Sequence, residues 1–317
     1  MNIKRVLKYL RTAKTFDEMA MQLKMTPDEI YKVIMELQMQ GHPIDVYTVE
    51  GAPTAQYNPT VEPPKMTYQL NSGTGKVTKL FMISDTHLAS KWDNVPILEQ
   101  IYEEAYKKGV NTILHAGDIS EGYYRNRPNH VHELRAIGAT DQAEYIINKY
   151  PKQDGIKTYY ILGNHDHTHI KNGGTDIGKI ISNERKDMAC LGWDIADLVI
   201  NKTKIRLYHP SGGPSYALSY KPQKYIEGIP GGEKPHMLGI GHYHGAIYML
   251  HRNVHSYMIP GLQSPTPYVI TKGLGGILGY WDIEFESDKD GNIVYNKGEL
   301  RQYHNKPQHK TLTKRRR

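Results

Sequence analysis

The chain is almost without cysteine. Cys190 stands alone, which excludes a disulfide framework and suits a reducing compartment. Runs of about 18 apolar residues, the length that spans a bilayer, are absent. No apolar signal core follows Met1-Asn2-Ile3-Lys4-Arg5. Neither membrane insertion nor export is expected, and a cytoplasmic location is. A basic body is missing too. Of 40 Lys and Arg, seven lie in residues 301–317, which hold no acidic residue, and the other 33 balance the 33 Asp and Glu. The net charge of +7 thus describes a tail, so a nucleic-acid contact argued from charge is a local one.

What is present suits a folded protein. Apolar residues make up 38% and charged residues 23% of the chain, which excludes disorder throughout. The length of 317 residues predicts two domains, or one large α/β domain with an appendage, and 18 Pro with 29 Gly predict many turns.

Residues 1–60 read as a small helical domain. A first helix is expected over Ile3–Leu10. Thr15 with Glu18 forms a capping box before Met19 and Leu23, and Thr26-Pro27-Asp28-Glu29 opens a helix with apolar residues Ile30, Val33, Ile34 and Leu37, ended by Gly41. Past His42-Pro43, the residues Ile44, Val46, Tyr47 and Val49 before a Gly51 turn predict a hairpin. This order resembles a winged helix-turn-helix. Residues 61–76, with Pro63-Pro64 and then Asn71-Ser72-Gly73-Thr74-Gly75, predict a linker. From residue 77 to 303 the texture is α/β. Strands are expected at Lys79–Ile83, Asn111–His115, Thr158–Leu162, Lys204–Tyr208 and Met237–Ile240, with helices at Val95–Lys108 and His130–Tyr150 and a hairpin turn at Asp288–Gly291. Residues 304–317 are expected to be a basic disordered tail.

The strand ends carry metal-type ligands in order. These are Asp85-x-His87, Gly117-Asp118-x-x-Glu121, Gly163-Asn164-His165-Asp166, His209 and Gly241-His242-x-His244. An open α/β sheet delivers such residues into one crevice. Carboxylate, imidazole and amide oxygen together suit Mn²⁺, Fe²⁺ or Zn²⁺. In an extended Asp-x-His or His-x-His step both side chains emerge on one side. His209 is preferred to His236 because it follows a strand.

In this order the motifs resemble those of calcineurin-like metallophosphoesterases over about residues 79–250. The resemblance implies a four-layer α/β/β/α sandwich and two divalent metal ions, Mn²⁺ foremost. It implies that Asp85, His87 and His244 hold the first ion, that Asn164, His209 and His242 hold the second, and that Asp118 bridges both. It further implies that water activated at the ions attacks phosphorus without a phosphoenzyme. His165 then serves as acid or hydrogen-bond donor, oriented by Asp166, and Glu121 orients a ligand without touching metal.

Tyr123, Tyr124, Arg125 and Arg127, just past Glu121, either stack on bases and hold phosphates or form an ordinary polar loop. His42, His115, His130, His132, His251, His255, His304 and His309 are read as surface or hydrogen-bonded histidines, and His167 and His169 as a solvated loop. The functional expectation is a two-metal phosphodiesterase acting on nucleic acid, a DNA endo- or exonuclease. The alternatives are a phosphoesterase for a small nucleotide and a replication-associated structural subunit. DNA is the expected partner, with a homodimer or a replication or repair protein as further ones, and no membrane.

Overall fold

The computed structural model describes residues 77–304 and, ahead of them, Val6, Tyr9, Leu10, Thr12 and residues 14–39, 44–49, 51–57 and 67–70. The chain divides into two compact units, Met1–Lys65 and Met66–Arg317.

In the first unit a short strand β1 (Lys14–Thr15) leads into α1 (Phe16–Leu23) and α2 (Pro27–Met39), followed by the hairpin β2 (Ile44–Val49) and β3 (Ala52–Tyr57). Both helices start where capping chemistry says they should. The Thr15 amide donates to Glu18 at 2.9 Å and the Glu18 amide to Thr15 Oγ1 at 3.2 Å. Thr26 and Glu29 repeat the exchange at 2.8 and 3.3 Å, and each such cap contributes about 1 kcal/mol. Phe16, Met19, Ile30, Ile34, Leu37, Ile44 and Ala55 form the core, under an antiparallel sheet of order β1-β3-β2. Of the helix expected over Ile3–Leu10, only Val6, Tyr9 and Leu10 are described, with Val6 and Leu10 buried. Gly41 and His42-Pro43 lie outside the described residues.

The second unit begins inside the expected linker. β4 (Thr67–Leu70) pairs in parallel with β9 (Ile195–Ile200), so residues 67–70 belong to a sheet. Edge-strand hydrogen bonds to a distant segment outweigh the polar, turn-rich local composition. The parallel strands β5 (Thr78–Ile83), β6 (Thr112–Ala116), β7 (Lys157–Leu162) and β8 (Met188–Trp193) form one sheet, extended on the β5 side by the antiparallel hairpin β14 (Leu278–Ser287) and β15 (Ile293–Tyr303). The second sheet runs β12 (Ile247–His251), β13 (Val254–Met258), β11 (Met237–Ile240), β10 (Thr203–Tyr208), β9, β4.

Strand β5 shows how the layers are joined. Leu80, Phe81, Met82 and Ile83 are all fully buried, the continuous apolar run of a strand covered on both faces. Alternate side chains leave on opposite faces. Phe81 and Ile83 join a cluster with Leu98, Ile101 and Tyr102 of α3 (Val95–Lys107), Ala143 and Ile146 of α4 (Ala139–Lys149) and Ile177 and Ile181. Leu80 and Met82 join Leu198, Ile205, Leu207 and Met237 of the second sheet. Leu238, Ile240 and Val254 pack with Ile226 from α7 (Tyr220–Gly228), after α5 (His167–Gly173) and α6 (Ile177–Glu184) in chain order.

The helix expected over His130–Tyr150 is broken. A 3₁₀ turn covers Pro128–Glu133, and α4 starts only after Gly138. Between them the Arg135 amide donates to Ala89 O at 2.8 Å, and its side chain donates to Ser90 O at 2.9 Å. These tertiary bonds pull residues 134–137 out of helical register. The tail beyond His304 lies outside the described residues.

Candidate metal centre

Every predicted metal-type ligand leaves the C-terminal end of a strand: Asp85 and His87 after β5, Asp118 after β6, Asn164 after β7, His209 after β10, His242 and His244 after β11. The route differs from the extended one expected. Asp85 (φ 52°), His87 (φ 44°), Asp118 (φ 53°), His242 (φ 76°) and His244 (φ 49°) all sit in the left-handed region, where a non-glycine residue costs about 1–3 kcal/mol. Bonds between neighbouring loops hold the first three there. The Asp85 amide donates to Gly117 O at 3.0 Å and the His87 amide to Asp118 O at 3.1 Å. Side chains share a direction because the backbone coils, not because it is pleated.

The ligand atoms gather in three overlapping groups, Asp85/His87/His244, His87/Asp118/His165 and Asp118/His209/His242, each with its atoms within 4.8 Å of one another. Asp85 Oδ1 is 3.2 Å from His244 Nε2, which lies 3.3 Å from His87 Nε2. Asp118 Oδ2 is 3.1 Å from His209 Nε2 and 4.0 Å from His87 Nε2, between two sets of imidazoles. Asn164 Oδ1 is 3.1 Å from His209 Nε2. The rings are set from behind. His209 Nδ1–H donates to Ala116 O at 2.7 Å, His242 Nε2–H to Gly212 O at 2.8 Å, and His87 Nδ1 lies 3.2 Å from Glu121 Oε2. Glu121 therefore orients a ligand without joining a group.

One atom tests whether a cation fits. Asp85 is fully buried, and while its Oδ2 accepts the His242 amide at 2.9 Å, its Oδ1 has no hydrogen-bond partner among the described residues. A buried carboxylate oxygen with unused lone pairs, facing two imidazole nitrogens, suits a divalent cation. The electrostatics agree. Burial by itself raises the Asp85 carboxyl, but His244, His87 and His209 outweigh it and hold it well below the usual range. Burial lowers His209, yet Asp118 and Asp85 bring it up to about 9. Carboxylates that keep protons on buried imidazoles would exchange them for a dication.

A family profile described as calcineurin-like phosphoesterase matches residues 78–303. The chain belongs to this family. Its members use divalent metals, and the convergent ligands agree with that chemistry. No curated protein matches the chain. It is similar to several solved structures. An archaeal phosphodiesterase has 14% identity and a TM-score of 0.41, covering 70% of this chain and 99% of that one. Vps29 from Entamoeba histolytica complexed with Zn²⁺ has 12% identity and a TM-score of 0.35, covering 71% and 99%. A 5′-nucleotidase precursor from Thermus thermophilus has 13% identity and a TM-score of 0.39, covering 71% and 54%. Among the described residues, no helix is long and apolar enough to cross a membrane.

The remaining site residues of this phosphoesterase divide by place. His165 lies against the centre, its amide donating to Asp118 Oδ1 at 2.8 Å and its Nδ1–H to Glu121 O at 2.7 Å. Asp166 does not orient it, contrary to expectation. The Asp166 carboxylate accepts the amides of Ile119, Ser120 and Gly163 at 3.2, 2.9 and 2.9 Å and the Ser120 hydroxyl at 2.6 Å. It staples two ligand-bearing loops together, and a carbonyl orients His165 instead. Tyr123 is held by its amide to Thr168 Oγ1 at 2.8 Å and stacks near His130. Arg125 is exposed, bonded to Asn172 O at 3.2 Å. The Arg127 guanidinium lies 4.3 Å from the Tyr124 ring and 4.2 Å from that of Tyr268. Tyr124 reaches the centre itself, its hydroxyl 3.0 Å from Asn164 Nδ2.

Two supports escaped the sequence. His130, read as bland, donates from Nε2 to Glu121 Oε1 at 3.0 Å, and Gln263 donates to Glu121 Oε2 at 2.6 Å. Neither belongs to a ligand motif, and Gln263 lies 142 positions from its partner. His169 is buried, not solvated, and bonds Ser120 Oγ at 3.0 Å.

Gly163 leaves room for the centre. A β-carbon there would lie 2.4 Å from Asp118 Oδ1 and 2.6 Å from His209 Nε2. Overpacking of this kind costs about 1–3 kcal/mol. Gly163→Ala is expected to weaken Mn²⁺ binding roughly tenfold or more while far-ultraviolet circular dichroism stays unchanged, as read by calorimetric titration.

Proposed function

We propose that the protein is a two-metal phosphodiesterase that hydrolyses phosphodiester bonds in DNA, built as a four-layer α/β/β/α domain preceded by a winged-helix-like domain. The observation that carries the catalytic part is the Asp118 carboxylate, buried and shared between two groups of ligand atoms. In this reading Asp85, His87 and His244 would hold one ion, and Asn164, His209 and His242 the other, with Asp118 serving both. Two divalent cations, Mn²⁺ foremost, would supply Lewis acidity that offsets phosphate charge and makes water nucleophilic near neutral pH. His165, its Nδ1–H committed to Glu121, leaves Nε2 to exchange a proton with the leaving oxygen. Asp166 keeps the loops of Asp118 and Asn164 in register, and Glu121 fixes the ring of His87.

DNA as substrate is supported by the helix–helix–hairpin order of the first unit and by the basic residues beyond Arg301. Arg125, exposed just past the ligand loop, is available for a backbone phosphate. A protein partner for the first unit is the second reading. The exposed face of α2 carries Asp28, Glu29 and Glu36 beside Tyr31 and Met35, whereas DNA-reading helices favour basic residues.

The test is incubation of purified protein with Mn²⁺ and end-labelled single- and double-stranded DNA. Cleavage that a chelator abolishes is expected. Hydrolysis of bis-p-nitrophenyl phosphate with both DNAs left intact would reassign the substrate to a small phosphoester.

A further inference from the structure

An amide is an ambiguous ligand. Asparagine presents an oxygen acceptor on one side and an NH₂ donor on the other, and only the oxygen can bind a divalent cation. A half-turn about the last torsion of Asn164 would replace a ligand by a repulsive pair of N–H groups. Carboxylates carry no such risk, so Asp85 and Asp118 need no equivalent control. Something must choose the orientation of Asn164.

We infer that Tyr124 is a positioning residue whose hydroxyl turns the Asn164 amide so that its oxygen meets the second cation. This rests on the two-metal reading above. The Tyr124 hydroxyl accepts from Asn164 Nδ2 at 3.0 Å, and Asn164 Oδ1 faces His209 Nε2 at 3.1 Å. The phenol has little freedom to reverse the exchange, because its own hydrogen points to the backbone carbonyl of Asn164 at 3.4 Å. With that hydrogen used, the oxygen remains an acceptor, and an acceptor selects the NH₂ side.

The ring is braced to do this. Arg127 lies over it at 4.3 Å and is itself covered at 4.2 Å by Tyr268 from α8 (Pro267–Thr271). His165 meets its edge at 4.9 Å, and the Tyr124 amide donates to His130 Nδ1 at 3.1 Å. Arg127, expected from the sequence to hold phosphate, thus also clamps the residue that aims a ligand. Among the described residues no carboxylate is paired with Arg127, so the two rings are the partners that set its place.

The test is calorimetric titration of the full chain with Mn²⁺. Tyr124→Phe keeps the ring and its bracing but loses the hydroxyl. One of the two binding events should weaken by roughly 10–100-fold, the range seen when a group behind a metal ligand is removed. The other event and the unfolding temperature of the metal-free protein should be unchanged. Hydrolysis of bis-p-nitrophenyl phosphate should fall at limiting Mn²⁺ and recover at high Mn²⁺. Tyr124→Leu should lose no less affinity at the same event. Wild-type affinities in Tyr124→Phe, a loss confined to Tyr124→Leu, or equal weakening of both events would each overturn the inference. None of these results touches the DNA reading, which depends on cleavage by the unaltered chain.

Discussion

Asp118→Asn is expected to reduce hydrolysis of bis-p-nitrophenyl phosphate by about 10³-fold or more, because in the proposed two-metal reading several kcal/mol of transition-state charge stabilisation would depend on cations held by that carboxylate. The change is isosteric. The Asn164–His165 loop keeps its tie, since an amide oxygen at the Oδ1 position still accepts the His165 amide, now at 2.8 Å. What changes is the Oδ2 position, 3.1 Å from His209 Nε2 and 4.0 Å from His87 Nε2. There a shared negative oxygen becomes an NH₂ group, a donor with no lone pair to offer a cation. His209 also loses the charge that brings it up to about 9. Both ligand groups that contain Asp118 are weakened together, so calorimetric titration should show two impaired Mn²⁺ events, not one. Activity within a few-fold of wild type would remove the shared carboxylate from the mechanism. The small substrate makes this result independent of whether DNA is the natural one.

His165→Ala is expected to lower DNA cleavage by about 10²–10⁴-fold, the range for a group that transfers a proton in the transition state, while both Mn²⁺ ions are retained. The imidazole is anchored by Nδ1 to Glu121 O at 2.7 Å and packs against the Tyr124 ring and the edge of His87. Among the described residues no hydrogen bond engages its Nε2. The leaving group provides the control. A deoxyribose oxygen needs a proton to depart, whereas p-nitrophenolate leaves readily without one. The loss on bis-p-nitrophenyl phosphate should therefore be clearly smaller than on DNA. Because His165 also falls within one ligand group with His87 and Asp118, metal content decides between the two roles. Loss of one Mn²⁺ with the side chain would make His165 a ligand.

Some of this molecule is readable from residue order because the signals are local. Leu80–Ile83 is apolar without interruption since both faces of β5 are covered, and the run stops where Ser84-Asp85 begins. The two capping boxes announce α1 and α2 because each is an exchange between residues three apart. Other readings failed where long-range bonds overrode local preference. Thr67–Leu70 became a strand through β9, more than a hundred positions away. The segment before Gly138 gave up its helix to backbone groups of residues 89–91.

The centre divides the same way. The types and order of its ligands, from Asp85 to His244, are properties of short motifs, so residue order alone establishes which atoms are available for a metal. Their grouping comes from the folded chain. Asp85 meets His242 across 157 positions, and Asp118 meets His165 across 47. The left-handed turns that aim Asp85, His87, Asp118, His242 and His244 are not preferences of those residues. Hydrogen bonds from other loops stabilise them: the Asp85 and His87 amides donate to Gly117 O and Asp118 O, and the His242 amide donates to Asp85 Oδ2. The same holds for Asp166, which staples loops where it was expected to orient His165, and for Tyr124, His130 and Gln263. Asp166, Tyr124 and Gln263 meet partners on other loops, and a contact between loops has no local pattern, while His130 meets Glu121 within its own connection but outside any motif.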